Sequence, residues 1–435
     1  MGEIIKFIVT LLSFSMFFLK REQKLAVMMI YGICFMSVQA RYLIPPLFFF
    51  LSEIPHWREY VNVIKKFKLT IFVTILFLGT VLLILHSPHL RGIGQLLSFL
   101  RTEIITKYLL IIIPLVALSS KGTLSIVVKA VTVSMIILTL FGIYNLLTRH
   151  AIFVDWILEG MKLNDVMEDA GSTFELRDRF RVQALHFNPF DYGFICVTIW
   201  NFFLYLRIEK IVDNIHFLLI SFCCLFGVIF CGCRTITVCL VFCFALYYLF
   251  THTFFKTFKW VFIIIVIALF FYNSFSTVTE AVNAKLLSIF NDSADVDGSS
   301  ISMRILQFTT VLYYIEGYFL FGRGFDFFAL DLGWSEGKSG AVDRDLYGLE
   351  GVYLSLLLER GVIGLLMYAA MIFVLIKRYL SYRRADKNSA AYCLSLIFTY
   401  LLFAIMTGEL QSAYITFLLL GIGMKLHYMK VGSLT

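Results

Sequence analysis

The chain has 435 residues, of which 60% are hydrophobic and only 15% are charged, and its mean hydropathy is +0.86. Soluble domains are about half apolar and a quarter charged, so this composition excludes an ordinary soluble protein and predicts an all-α polytopic membrane protein. The formal net charge of +8 does not indicate nucleic-acid binding, because the basic residues are spread between apolar segments and form no stripe interleaved with aromatics.

Apolar segments long enough to cross a bilayer recur along the whole chain, and each needs about 20 residues as a helix. The segment 41–52 contains Pro45 and Pro46 and is predicted as either a half-helix or a short additional span. We therefore expect residues 1–435 to form a single membrane domain with about 12 transmembrane helices, in a range of about 11 to 14. The predicted spans are 4–19, 25–40, 69–87, 105–119, 125–147, 187–206, 216–232, 235–251, 259–275, 359–376, 390–407 and 412–427.

Basic residues in short loops mark the cytoplasmic side of a membrane protein. Alternation of the predicted spans places the segments 65–68 and 207–210 and the pair Lys256 and Lys259 on the same side as the densest basic loop, 377–387, and makes the C-terminus cytoplasmic. The two long loops, about 148–186 and 276–358, then face outward. The segment "KREQK" after the first apolar run indicates a cytoplasmic turn, which favours a signal anchor over a cleaved peptide. The basic segments on the predicted inner side are 65–68, 207–210 and 377–387, and the single basic residues there are Lys256, Lys259, Lys425 and Lys430.

All nine cysteines lie in or at the ends of apolar runs, and neither outward loop contains one. This distribution predicts buried, helix-packing cysteines rather than a disulfide framework or an external metal site. The sequence predicts no metal and no cofactor.

Charge gathers at the outer helix ends in four places, of which the first is "FELRDRFRVQALHFNPFDYGF", residues 174–194. In an extended segment, Arg177, Arg179 and Arg181 point one way and form a positive surface. Arginine suits a phosphate ligand because its planar fork donates two hydrogen bonds at once. Alternatively, these arginines neutralise neighbouring carboxylates or meet lipid headgroups.

The second place is "FCGCRTITV", residues 230–238, where Arg234 interrupts a long apolar stretch near the outer boundary. Arg234 is therefore either at a hairpin tip or an intramembrane charge. An ionisable residue there favours a functional role, and snorkelling from a tight turn is the alternative.

The third place is "SISMRILQFTTVLYYIEGYFLFGRGFDFF", residues 300–328. Its middle has helical apolar spacing and predicts an interfacial amphipathic helix, which "GRG" ends. A lone G-x-G with no preceding strand does not support a nucleotide loop. Arg304 and Arg323 are candidates for phosphate or lipid contact, or are solvated surface charges.

The fourth place is "DLYGLEGVYLSLLLERGVIGLL", residues 345–366. Counting back about 18 residues from the inner basic loop puts Glu359 and Arg360 at the outer interface. Residues 351–358 are then predicted as a short apolar helix against the membrane surface, with Glu350 in its first turn. A carboxylate fixed there, facing arginines, suits a general base toward a hydroxyl; simple helix capping is the alternative.

Together these segments resemble the bacterial O-antigen polymerase and O-antigen ligase superfamily, inner-membrane glycosyltransferases that use undecaprenyl-diphosphate-linked glycans. "RFRVQALHFNPFDYG" and "GCRT" resemble the family's arginines at neighbouring outer span ends. "MRILQFTTVLYYIEGYFLFGRGFDFF" and "EGVYLSLLLERGVIGLL" resemble the end of its large periplasmic loop and the segment that follows. Glu350 and Gly351 stand where the ligase pattern has His-Asn, which favours the Wzy-type polymerase over the ligase.

The resemblance implies a GT-C-like fold and a periplasm-facing active site in the bacterial inner membrane. Arg181 and Arg234 would hold the donor diphosphate, and Glu350 would orient or deprotonate the acceptor hydroxyl. Tyr353 belongs to a set of aromatic residues that would stack on sugars, although aromatic belts at membrane interfaces are commoner. The remaining implied substrate-binding residues are Arg177, Arg179, Arg304, Arg323 and Asn188.

The implied partners are lipid-linked glycan donor and acceptor, membrane lipids and a protein that regulates chain length, with no nucleic acid. A ligase that transfers glycan to lipid A core is the enzyme alternative. A non-enzymatic flippase or transporter is the other, although transporters place ionisable residues near the bilayer midplane and the predicted spans carry almost none there.

Overall fold

A computed structural model describes most of the chain. The described residues are 2–36, 44–153, 156, 180–252, 301–325, 327, 349, 351–408 and 412–432. These ranges are predominantly helical and contain no β-strand, so the all-α prediction is confirmed for the described part of the chain.

Helices of very different length make up the described chain. A π-helical segment, Tyr31–Phe35, continues the second helix, and short 3-10 turns join several others. In chain order the helices are α1 (Gly2–Ser15), α2 (Arg21–Ile30), α3 (Pro45–Glu53), α4 (Trp57–Lys66), α5 (Thr70–His86), α6 (Ile93–Phe99), α7 (Ile112–Ala117), α8 (Lys121–Thr148), α9 (Pro189–Ile208), α10 (Asn214–Phe230), α11 (Arg234–Thr251), α12 (Ile301–Tyr314), α13 (Val352–Tyr382), α14 (Lys387–Thr407) and α15 (Ser412–Gly432).

Among the described residues, four helices are long and apolar enough to cross a membrane: α8, α11, α13 and α14. A fifth span results if the α3–α4 pair and α5, which are bent by 113°, are counted together. The chain is therefore a helical membrane protein. The predicted span 259–275 lies outside the described residues.

The predicted span 105–119 is broken in the structure. It contains a 3-10 turn, Tyr108–Ile111, followed by the short α7. Proline is tolerated in the first turn of a helix because the N–H groups there have no intrahelical partner. Pro114 lies in the first turn of α7, which explains why no continuous helix runs through this segment.

The prolines of segment 41–52 likewise begin a helix. Pro45 and Pro46 occupy the first two positions of the nine-residue α3, which fits the half-helix alternative. Glu53 at its end is buried, and its carboxylate accepts from Lys24 Nζ at 2.7 Å and from Arg21 Nε at 2.8 Å. These ion pairs tie α3 to the start of α2.

The helix ends predicted to be cytoplasmic lie together at one end of the bundle. Lys430 Nζ lies 2.9 Å from a Glu209 carboxylate oxygen and 3.1 Å from Asp386 Oδ1. Lys66 Nζ lies 4.5 Å from the centre of the Tyr428 ring. The ends of α9 and α15, the start of α14 and the α4–α5 turn therefore meet, as the alternation of predicted spans requires.

The interior is a large apolar cluster to which most of the helices contribute. All nine cysteines are buried, which confirms the prediction of helix-packing cysteines. On one side of the molecule, α5 packs on α13, α13 on α14, and α14 on α11. This order places α14 between α13 and α11.

Helix α12 is amphipathic, as predicted, but only part of its apolar surface is buried. Val311 and Ile315 pack against the start of α13. Ile305, Phe308 and Leu312 stay exposed, which suits a helix at a membrane surface.

Candidate functional site

Arg181 lies against the turn that precedes α11. The backbone N–H of Val182 donates to the carbonyl oxygen of Phe230 at 2.9 Å, which aligns the two segments. Gly232 has φ +65°, and a Cβ built on it would lie 3.2 Å from Arg181 Cγ. The aliphatic part of Arg181 therefore rests on this glycine, and no carboxylate among the described residues forms an ion pair with its guanidinium.

Arg234 is the first residue of α11. The three residues Cys231–Cys233 connect α10 to α11, so Arg234 lies at a turn and not in the middle of a span. The structure thus decides between the two positions that the sequence left open. Arg181 thus rests on Gly232, two residues before Arg234 in the chain, and the N-terminal dipole of α11 adds positive potential there.

Buried contacts anchor the segment that carries Arg181. The fully buried His186 lies 2.9 Å, through Nε2, from the carbonyl oxygen of Ile33 in the π-helical segment. Burial lowers the pKa of His186 to about 4, against the opposing effect of this hydrogen bond. The ring is therefore neutral at pH 7, and Nε2 carries the proton that it donates to Ile33.

The C-terminal end of α14 adjoins the start of α9, which packs closely on the start of α11. The rings of Phe194 and Phe403 are 4.4 Å apart. A Cβ built on Gly193 would meet the Ile236 side chain and Cys231 Sγ, so α9 and α11 approach closely just beside this contact. The first and second charged places are therefore adjacent to the end of α14.

The third and fourth places reach the same helix end. Arg304 Nη2 donates to the carbonyl oxygen of Met406 at 2.8 Å, and Arg304 is half-buried. Gly351, with φ +96°, lies against the backbone of Ile405, and Tyr353 is the second residue of α13. The structure thus gathers Arg181, Arg234 and Arg304 around one end of the bundle. Glu350, Arg177 and Arg179 lie outside the described residues.

Two other predicted substrate-binding residues have structural roles. Asn188 is the N-cap of α9: its Oδ1 accepts from the Asp191 N–H at 2.8 Å, and its Nδ2 donates to Asp191 Oδ2 at 2.8 Å. Arg323 Nε donates to the carbonyl oxygen of Tyr314 at 2.6 Å, and its guanidinium lies 4.0 Å from the centre of the Tyr318 ring. These contacts hold Arg323 against the end of α12.

In the fourth place, residues 345–366, a short helix was predicted to precede the next span. The structure shows that α13 breaks there, at Gly361. This residue has φ +62° and ψ −167°, a conformation almost confined to glycine. Residues 319–324 lie across the break: the N–H groups of Arg323 and Gly324 donate to the carbonyls of Leu358 and Glu359. The N–H groups of Val362 and Ile363 donate in turn to the carbonyls of Phe319 and Leu320. The prediction of a short helix before the span is confirmed, but the helix begins at Val352 with Gly351 as its N-cap, so its first turn does not include position 350 as predicted. The "GRG" residues take part in these hydrogen bonds between the two backbones.

Arg360, beside the break, pairs with an acid that the sequence analysis did not single out. Glu103 Oε2 accepts from Arg360 Nη2 at 2.7 Å, and Glu103 Oε1 accepts from Lys107 Nζ at 2.8 Å. Burial would raise the pKa of the Glu103 carboxyl, but the two cations outweigh it and hold the pKa below its usual value. In the sequence, the only local sign of this ion-pair network is the four-residue spacing of Glu103 and Lys107, at the start of an apolar run.

No protein-family model matches this chain, and no curated protein matches it. The functional proposal therefore depends on the residues and their geometry.

The gathered arginines are expected to differ in their effect on stability. Arg304→Gln removes a charged hydrogen bond to a helix end, and we expect it to lower the free energy of unfolding by about 1.5 kcal/mol or more. Arg181→Gln removes no ion pair to a described residue, and we expect a change within about 0.5 kcal/mol. Thermal unfolding of the two purified variants in detergent tests this, and equal destabilisation would contradict it.

Proposed function

We propose that this protein is a glycosyltransferase that polymerises undecaprenyl-diphosphate-linked repeat units of O-antigen or another surface polysaccharide. The reaction would take place at the periplasmic face of the bacterial inner membrane. The observation that supports it is the convergence of Arg181, Arg234 and Arg304, from separate parts of the chain, at one end of a membrane helix bundle. About twelve spans and a GT-C-like architecture form part of the same proposal.

A diphosphate leaving group needs stabilisation as its bond to the sugar breaks. Arg181 and Arg234 would supply it, since preorganised cations directed at developing charge lower a barrier without reorganising during the reaction. Arg181 is suited to this role because its position depends on Val182 and Gly232 rather than on a carboxylate partner. Arg304 of α12 would contribute from beside the end of α14, and Arg177 and Arg179 would extend the positive surface.

The acceptor hydroxyl must lose a proton as the new glycosidic bond forms. Glu350 would orient or deprotonate it, with the proton passing to the carboxylate. The adjacent Gly351 packs on Ile405, one residue from the carbonyl that binds Arg304. This proximity supports assigning donor and acceptor roles to one site. Tyr353 and the exposed Tyr313 would stack on sugar faces.

The test is the surface-polysaccharide ladder of a deletion strain complemented with the wild type or with Arg181→Ala, Arg234→Ala or Glu350→Gln, each with its membrane abundance measured. For a polymerase, we expect the deletion to leave a single repeat unit on the acceptor and the three variants to reproduce that loss. Removing one donor to developing charge typically costs a factor of about 100 to 1,000 in rate, enough to abolish long chains.

A matched control is Arg149→Gln, because Arg149 is an exposed arginine at the end of α8 outside the gathered set. Its ladder should be normal. If glycan attachment vanishes while long lipid-linked chains accumulate, the protein is instead a ligase. Normal ladders in both arginine variants, at normal abundance, would refute the proposed site.

A further inference from the structure

Helix α4 carries an apolar stripe that the helix bundle leaves exposed. Ile54, in the turn just before α4, and Trp57, its first residue, are 60% and 59% exposed, and Val61 is exposed as well. These residues recur at intervals of three and four, so they lie along one side of the helix. We name this side, with the flanking Arg58 and Lys65, the α4 surface.

Another side of α4 packs against the protein. Tyr60, Val63 and Ile64 are half-buried against the central apolar cluster, and Phe67, just after the helix, is buried. A helix on the surface of a soluble domain needs one apolar side, which faces its core. The second, exposed apolar side of α4 therefore indicates contact with another apolar phase.

The start of α2 and the end of α15 lie at the same end of the bundle, because both contact the segment 115–119. Ser119 Oγ donates to Glu22 Oε1 at 2.7 Å, and Lys425 Nζ donates to the carbonyl oxygen of Leu115 at 2.9 Å. The sequence predicts this end to be cytoplasmic.

Helix α4 runs across that end of the bundle. At its start, Glu59 Oε2 accepts from Nη1 of Arg21, the first residue of α2, at 2.6 Å. At its other end, Lys66 lies over the ring of Tyr428 near the end of α15. Both ends of α4 are therefore attached to the same end of the bundle.

The direction of α4 agrees with this placement. The α3–α4 pair is bent by 113° from α5, which fills most of the predicted span 69–87. A helix nearly at right angles to a spanning helix runs along the membrane surface and not through it. An apolar stripe on such a helix meets lipid at the boundary between headgroups and acyl chains.

Positive charge adjoins the stripe. The basic residues between positions 54 and 68 are Arg58, Lys65, Lys66 and Lys68. The only acid in that segment, Glu59, already pairs with Arg21. Arg58 and Lys65 are exposed, and neither forms an ion pair with a described residue. Their N–H donors suit the phosphate of a lipid headgroup.

We propose that the α4 surface binds anionic phospholipid of the leaflet that it faces, with Trp57 and Val61 in the apolar layer and Arg58 and Lys65 on lipid phosphates. Tryptophan favours the membrane–water interface, and basic side chains of an interfacial helix are attracted to anionic headgroups. The charge favours an anionic lipid over a zwitterionic one, and the adjoining stripe favours a lipid over an acidic protein. This inference does not depend on the proposed glycosyltransferase activity.

Native mass spectrometry of the purified full-length protein tests the proposal with phosphatidylglycerol and phosphatidylcholine, which differ in net charge. We expect phosphatidylglycerol to bind more tightly. Each cation near an anionic lipid surface changes affinity about fivefold. Arg58→Gln combined with Lys65→Gln should therefore weaken phosphatidylglycerol binding about tenfold or more and leave phosphatidylcholine binding unchanged. An undiminished preference for phosphatidylglycerol in this double variant would overturn the proposal.

The matched control is Arg91→Gln combined with Arg149→Gln, which removes the same charge from two exposed arginines outside α4. It should bind phosphatidylglycerol as the wild type does. Equal losses in the two double variants would mean that net charge, and not the α4 surface, determines binding, and would refute the site.

A second measurement determines whether the stripe meets lipid. All nine native cysteines are buried, so a cysteine introduced at Val61 or at its neighbour Asn62, on the polar side of α4, is labelled selectively with a nitroxide. In phosphatidylglycerol nanodiscs, the label of Val61→Cys should be accessible to oxygen, which concentrates in hydrocarbon. The label of Asn62→Cys should be accessible to a water-soluble nickel chelate. Equal nickel access at both positions would place the α4 surface in water, favour an acidic protein as its partner and overturn the lipid assignment.

Discussion

Gly361→Ala is expected to prevent accumulation of folded protein or to lower its thermal stability strongly. The φ/ψ values of Gly361 belong to a region almost confined to glycine, where another residue costs about 1–3 kcal/mol. A Cβ there would also lie 2.5 Å from the carbonyl carbon and oxygen of Leu320. Relieving that overlap would separate the two backbones and break hydrogen bonds worth about 1 kcal/mol each, so we expect a total loss above about 4 kcal/mol.

Gly317→Ala is the matched control for this prediction. Gly317 also has a positive φ, of +77°, but a Cβ built on it would meet no atom within 4 Å. We therefore expect it to cost only about 1–2 kcal/mol, the strain of a left-handed residue. Gly322→Ala should resemble Gly361→Ala, because its Cβ would overlap the backbone of Glu359 and Arg360. Thermal unfolding in detergent measures the stability of all three variants. Equal losses in Gly317→Ala and Gly361→Ala would refute the importance of the backbone hydrogen bonds between residues 319–324 and the break at Gly361.

Glu103→Ala is expected to have the next largest effect on stability. It removes the carboxylate that bonds both Arg360 and Lys107, and the side chain of Glu103 is only 14% exposed. Removing one partner from a buried ion pair typically costs about 3–5 kcal/mol, because the remaining charge stays desolvated. The control Glu59→Ala disrupts the exposed contact to Arg21 and should cost less than about 1 kcal/mol.

The same network predicts a pH dependence. The folded-state pKa of Glu103 is lowered, so its contribution to stability is fully present above the unfolded-state value of about 4.3. That contribution is lost as the pH falls further, through the folded-state pKa, because protonation removes the charge that the cations stabilise. The stability difference between the wild type and Glu103→Gln should therefore shrink as the pH is lowered below about 4.3. A constant difference from pH 7 to pH 3 would contradict this assignment.

Local properties of the chain were predictable from its sequence. The membrane class, the burial of the cysteines and the clustering of basic helix ends follow from hydropathy and its alternation with charge. The short helix before Gly361 was also anticipated, because Glu359 and Arg360 lie one membrane thickness from an inner basic loop. The break of segment 105–119 was not anticipated, since a strongly apolar run hid the effect of Pro114 on where a helix can begin.

Contacts between distant segments were decided only by the tertiary structure. Arg360 pairs with a glutamate 257 positions away, and Arg304 binds the carbonyl of a residue 102 positions away. The sequence around each arginine does not show its partner, because a pairing of this kind depends on how helices pack and not on local periodicity. The sequence by itself determined that this is a helical membrane protein with arginines near the ends of its predicted spans. Only the packing of α9, α11 and α14 brought Arg181, Arg234 and Arg304 to the same end of the bundle, because the buried contacts Phe194–Phe403 and Gly193–Ile236 hold those helix ends together.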